Sequence, residues 1–165
     1  MADDVWRRSR PDEFVDTETF KVFRSLLGGV AWMVQTRPDA VVYISCLQRH
    51  MDKPRAIDVV NLNRVLKFMK RKPLSLTFRA VENPWVLLVI SDSAFQSKEQ
   101  DCLALRSGII ALASKTASGG KYIVQPIEFL CKKQNHVCRS AYAAEIHSAL
   151  DLLGLGMLIQ GTINY

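Results

Sequence analysis

From Asp16 onward the apolar residues recur at helical spacing. Phe20, Phe23, Leu27, Val30, Ala31 and Val34 follow a period near 3.6, which predicts an amphipathic helix that ends near Thr36. Asp16 or Thr17 opens it, since a side-chain oxygen there satisfies the first free amides and Glu18 follows at the positive helix end. Pro38 suits the first position of a second helix, running to about His50, because its missing N–H would be unpaired there anyway. Pro54 repeats the device for a third helix, with a mostly apolar stripe of Ala56, Val59, Val60, Asn63, Val65, Leu66 and Met69. The basic residues Arg64, Lys67, Lys70, Arg71 and Lys72 then face outward or trail from its end. Residues 1–16, polar apart from Trp6 and Phe14, read as a flexible arm.

At Leu74 the period changes to two. Leu74, Leu76 and Phe78 alternate with Ser75, Thr77 and Arg79, as in a strand with one wet face. Glu82, Asn83 and Pro84 break it, and Val86 to Ser91 is apolar on both faces, the mark of a central strand. Two more strands are expected at about 108–114 and 122–131, joined by a hairpin turn at Ala117-Ser118-Gly119-Gly120. Ser140 then caps a long helix expected to bury Ala144, His147, Ala149, Leu150, Leu153, Leu158 and Ile159. The fold class is α+β, helices first, then an antiparallel meander plus one helix.

Composition excludes several classes. With 165 residues, 48% hydrophobic and 23% charged, the chain is neither disordered nor fibrous, and it is long enough to form a core without disulfides. Four scattered cysteines and a charged stretch from Met1 to Pro11, where a signal peptide would be apolar, point to a reducing intracellular compartment, cytoplasmic or nuclear. No uninterrupted apolar run reaches the roughly 18 residues of a membrane span, so no membrane association is expected. The charge is uneven: between Arg49 and Arg79 nine basic residues face two acidic ones, while the whole chain carries +6. A positive field confined to one segment attracts polyanions such as nucleic acid, although charged runs also serve as solvated helix faces.

Two acids stand out. Asp92 ends the most apolar strand, where a carboxylate is costly unless it meets a cation or hydrogen-bond donors. Glu145 lies in the first turns of the last helix among small residues that allow close backbone approach. A meander followed by a helix can bring those turns beside a strand end, and two carboxylates so placed form part of a magnesium site. Cys131, His136 and Cys138 lack a fourth ligand for zinc. Cys46 and His50, spaced i, i+4, have no orienting acid legible nearby, and His147 reads as packing.

These segments carry a family resemblance. The runs 26–33 and Thr36-Arg37-Pro38-Asp39, then 64–70, resemble the segment that follows the polymerase palm in copia-type retrotransposon Pol polyproteins. Ser91-Asp92-Ser93-Ala94-Phe95 resembles the first acidic motif of that family's ribonuclease H, Lys132-Lys133-Gln134-Asn135 its Lys-x-Gln segment, and 144–150 its Ala-Glu-Tyr-x-Ala-Leu motif. The resemblance covers about residues 20–160, in the right order. It implies a helical connection segment at 17–72 and a partial ribonuclease H-like domain at 73–165. It also implies that Asp92 and Glu145 are catalytic acids binding Mg2+ for hydrolysis of RNA in RNA/DNA hybrids. From their charge, and not from the resemblance, Arg64, Lys67, Lys70, Arg71 and Lys72 are expected to contact nucleic acid.

The departures shape the expected activity. Ala94 stands where the family has a second acid in its first motif, Phe95 where it has Trp, and Ala143 where Glu is common. The fourth strand and the later segment with two more aspartates would follow Tyr165, so cleavage is expected to be impaired. Self-association through the open sheet edge is expected as well. The alternative reading is a non-catalytic module that binds nucleic acid or another protein.

Overall fold

A computed structural model of the chain describes residues 11–95, 104–115 and 121–163. They belong to two compact units, Met1–Leu76 and Thr77–Tyr165.

The first unit is helical. Helix α1 (Thr17–Met33) opens as its sequence requires: the two carboxylate oxygens of Asp16 accept from the Thr19 amide at 2.9 Å and the Thr19 hydroxyl at 2.8 Å. The amide bond above all holds the Asp16 carboxyl below its usual pKa. The expected helix continuation to Thr36 and start at Pro38 are replaced by two 3-10 turns, Val34–Thr36 and Pro38–Ala40, before α2 (Val41–Gln48). Arg37 separates them with φ −129° and ψ 65°, outside the helical region as expected for a residue preceding proline.

Helix α3 (Ala56–Arg71) begins two residues after Pro54. Its first amides are satisfied from the arm: Ala56 N–H donates to the Glu13 carbonyl at 2.9 Å and Ile57 N–H to that of Pro11 at 3.2 Å. Residues 11–15 are therefore tied along the start of α3, and residues 1–10 lie outside the described set. The core joins Phe23, Leu27 and Val30 of α1, Ile44 and Leu47 of α2, and Leu62, Val65 and Met69 of α3. Leu62, absent from the expected stripe, is buried in place of Val60 and Asn63.

The second unit is a three-stranded antiparallel sheet with one helix. Strands β1 (Trp85–Ala94), β2 (Leu105–Lys115) and β3 (Tyr122–Lys133) lie in the order β1-β2-β3. The hairpin turn expected at 117–120 falls outside the described residues; the flanking strands pair in antiparallel up to Lys115 and Tyr122. The register shifts at Ile110/Ala111, which leaves Ile127 as an extra residue beside Pro126; a bulge on an edge strand accommodates a residue that cannot donate to the ladder. The strand expected at Leu74–Arg79 does not form. Leu74 and Phe78 are exposed, so the alternation has no apolar partner to bury against, and the Arg79 amide donates to the Gln125 side chain instead of to a backbone ladder.

Helix α4 (Ala141–Ile163) begins where Ser140 Oγ accepts from the Ala143 amide at 3.1 Å. Its buried stripe is Ala144, Ser148, Leu152 and Gly156, a four-residue spacing, whereas Leu150, Leu153 and Leu158, expected inside, are exposed. Small residues decide which face packs. A methyl on Gly108 would meet the Leu152 side chain and the Ile90 carbonyl, and one on Gly156 would lie 2.7 Å from Val89 Cγ2. Helix and sheet thus meet almost backbone to backbone, and Arg106 pairs with Asp151 beside that contact. Despite the absence of an uninterrupted apolar run, α4 is long and apolar enough to cross a membrane by length and composition alone, with a mean hydropathy of 1.3 over 18 residues.

Candidate functional site

One hydrogen bond joins the C-terminal end of β1 to the first turns of α4, and a second joins the exit of β3 to them. The Ser148 hydroxyl, fully buried, donates to the Asp92 backbone carbonyl at 2.8 Å. Gln134, at the exit of β3 and 2% exposed, donates through Nε2 to the Ala144 carbonyl at 2.8 Å and accepts the Cys138 thiol at 3.0 Å, while its own amide donates to the Ala104 carbonyl. Glu145 follows Ala144 directly and lies one turn before Ser148, so both bonds bear on where it stands. Neither Gln134 nor Ser148 stood out as a positioning residue in the sequence, although both fall within the motifs noted above.

Both carboxylates are exposed. By strand alternation Asp92 belongs to the series Val86, Leu88, Ile90, on the face away from α4, while Leu87 and Val89 pack under Gly156. The Asp92 and Glu145 side chains therefore rise from different faces and can share an ion only around the end or the free edge of β1. On the α4 side at this end, Ser93 Oγ and Arg106 Nε, on register partners, are buried without a hydrogen-bond partner.

In the other unit Arg64, Lys67, Lys70, Arg71 and Lys72 are all exposed along and after the last turns of α3. Arg64, Lys67 and Arg71 share one stripe by their three- and four-residue spacing. Lys70 and Arg71 also complement the negative end of the helix.

Thr36-Arg37-Pro38-Asp39 proves to be structural. Arg37 is buried, its Nε and Nη2 donate to the Asp39 carboxylate at 2.9 and 2.8 Å, and its Nη1 donates to the Met69 carbonyl at 3.0 Å. It thus satisfies an otherwise free carbonyl at the end of α3. The hydrogen bonds raise the guanidinium pKa and lower that of Asp39. The orienting acid missing for His50 is Asp58: His50 Nδ1 lies 2.8 Å from Asp58 Oδ1, and Asp58 Oδ2 accepts the Arg55 amide at 2.8 Å. Eight residues and a chain reversal separate the pair, which hides it from spacing arguments. His136 stacks on His147, with ring centroids 5.3 Å apart, and Cys138 is engaged with Gln134.

The chain is similar to the retrovirus-related Pol polyprotein from transposon RE1 of Arabidopsis thaliana, with 25% identity over 129 residues that make up 78% of this chain. It spans 8% of that relative's length. No family model and no solved structure matches the chain. The similarity supports a relation to retrotransposon Pol polyproteins, at the level of a fragment.

Proposed function

We propose that this chain corresponds to a copia-type Pol segment in which the second unit is the first half of a ribonuclease H-like fold and the first unit is a basic helical connection. On this reading Asp92 and Glu145 are acids of a site that hydrolyses RNA in RNA/DNA hybrids. The observation that carries it is the Ser148 hydroxyl on the Asp92 carbonyl, which joins the second turn of α4 to the end of β1. Supporting it are the meander-then-helix order and the Pol similarity.

Magnesium fits this donor set in part. Two carboxylates suit a hard cation, but Mg2+ takes six oxygens, and among the described residues no group of three or more His, Cys, Asp or Glu side chains gathers. When bound, the ion would stabilise charge on the phosphate and activate water. The chain's own part is to hold Asp92 and Glu145 at one strand end through Ser148 and Gln134. The basic residues of α3 would hold the hybrid through its phosphates, with little base preference.

The test is binding and cleavage of a labelled RNA/DNA hybrid by the chain and by its Asp92→Asn form with magnesium. The reading predicts salt-sensitive hybrid binding by both forms, and slow cleavage by the unaltered chain that Asp92→Asn removes. Cleavage that persists in Asp92→Asn would remove Asp92 from the site. Hybrid binding with no cleavage by either form would favour the non-catalytic nucleic-acid-binding module, for which the exposed basic stripe of α3 speaks.

A further inference from the structure

The first unit contains an open groove of about 510 Å³ between α2 and α3. Tyr43 and Phe68 form one wall, their rings edge to face with centroids 6.4 Å apart, and Leu47 and Val65 line it with them. The polar groups converge at other points of the lining. Arg64 Nη1 donates to Asn61 Oδ1 at 3.1 Å, which leaves the Asn61 amide N–H groups as donors. Both oxygens of buried Asp58 are engaged, by His50 Nδ1 and the Arg55 amide, so Nε2 of the exposed His50 ring is the free edge of that pair. Lys72 Nζ lies 5.9 Å from the Phe68 ring centroid, and residues 49–76 of this unit carry a net +6.

We propose that this groove takes a nucleobase splayed out of a single strand, the base resting against Tyr43 and Phe68 and its flanking phosphates facing Arg64 and Lys72. Volume, lining and charge agree on that occupant. A cavity of this size is in the range of small-ligand sites, which are mostly apolar with a few placed polar groups. An uncharged apolar ligand would leave the Arg64 guanidinium in the lining without an anionic partner. A duplex keeps its bases stacked and could offer only phosphates, whereas single strands combine an electrostatic track with base stacking on aromatic side chains. Asn61 and His50 supply hydrogen-bonding edges for whichever base enters. The site shares the basic α3 with the proposed hybrid binding, but it depends on aromatic residues that a phosphate contact does not need.

The experiment compares two fluorescent probes with the full chain at one salt concentration: a single strand of about a dozen nucleotides and an abasic strand with the same backbone and charge. The single strand is expected to bind at least about tenfold more tightly, and to protect Cys46, which lines the groove, from alkylation. Phe68→Leu keeps an apolar side chain in the core contact and is expected to remove most of that preference while binding of the abasic strand and of an RNA/DNA hybrid stays the same. Tyr43→Leu, at a 57% exposed position, provides the second variant with the same expected result. Equal binding of the two probes by the unaltered chain would overturn the proposal, as would a preference that survives in both folded variants. If the hybrid binds normally in that case, only the groove assignment fails; if no nucleic acid binds at all, the hybrid reading fails with it.

Discussion

Gln134 shows how much one buried side chain settles in this protein. It bridges the first turn of α4 and the Cys138 thiol, while the backbone amide of the same residue donates to the Ala104 carbonyl before β2, and apolar replacement leaves the thiol and the Ala144 carbonyl without these partners. Gln134→Leu is expected to cost about 1–3 kcal/mol in urea unfolding, the range for orphaned buried polar groups. Gly108→Ala tests the other side of the same contact. A methyl there meets Leu152 and a backbone carbonyl that cannot rotate away, so destabilisation of about 1–3 kcal/mol from overpacking is expected in the same experiment, whereas exposed Gly154→Ala should be neutral or slightly stabilising. Sequence reading singled out Asp92 and Glu145 from local signals, and the Ser140 cap that it expected from the same kind of signal forms. It did not reach Ser148, Gln134 or the His50–Asp58 pair as contacts, because each depends on a partner brought close by the fold.

At the scale of elements, helix α1 was legible from period and cap, α3 from its period but not its cap, and the three strands from their apolar runs. The exceptions share a cause. Leu74–Arg79 has the alternation of a strand but no sheet neighbour to pair with, and the inner stripe of α4 is set by small residues that admit the sheet, not by the largest apolar ones. The Arg37–Asp39 pair gives the first unit an acid sensitivity of known sign. Asp39 is held below its ordinary pKa by Arg37, so its stabilising contribution is complete above about pH 4 and is lost as pH falls through the lowered folded value. Asp16, lowered by Thr19, acts in the same direction. Arg37 stays charged throughout this range. Asp39→Asn should therefore be less stable than the unaltered chain at pH 7, by less than about 1 kcal/mol for a partly exposed pair, and the difference should shrink toward pH 2; urea midpoints across that range measure it. For α3, changing Lys67, Lys70 and Lys72 together to Glu should weaken hybrid binding at low salt by more than about tenfold and flatten its salt dependence in an anisotropy titration.

For the whole molecule, the open sheet has consequences of its own. β1 is an edge strand, and Val86 and Ile90 on its face away from α4 are about half exposed, as are Leu150 and Leu153 on the outer side of the helix. Unpaired edges with apolar flanks associate, so light scattering with size exclusion is expected to show concentration-dependent oligomers, and Ile90→Lys to reduce them. On the proposed function Asp92 and Glu145 form one cation site, although their side chains leave from different faces around the end of β1. Paramagnetic broadening by Mn2+, substituting for Mg2+, tests it most directly in the folded chain, read at the backbone amides of 91–95 and 143–147. Both groups are expected to broaden together over the same Mn2+ range, and Asp92→Asn to abolish the effect in both; broadening at one group alone, or at both unchanged by Asp92→Asn, would contradict a shared site.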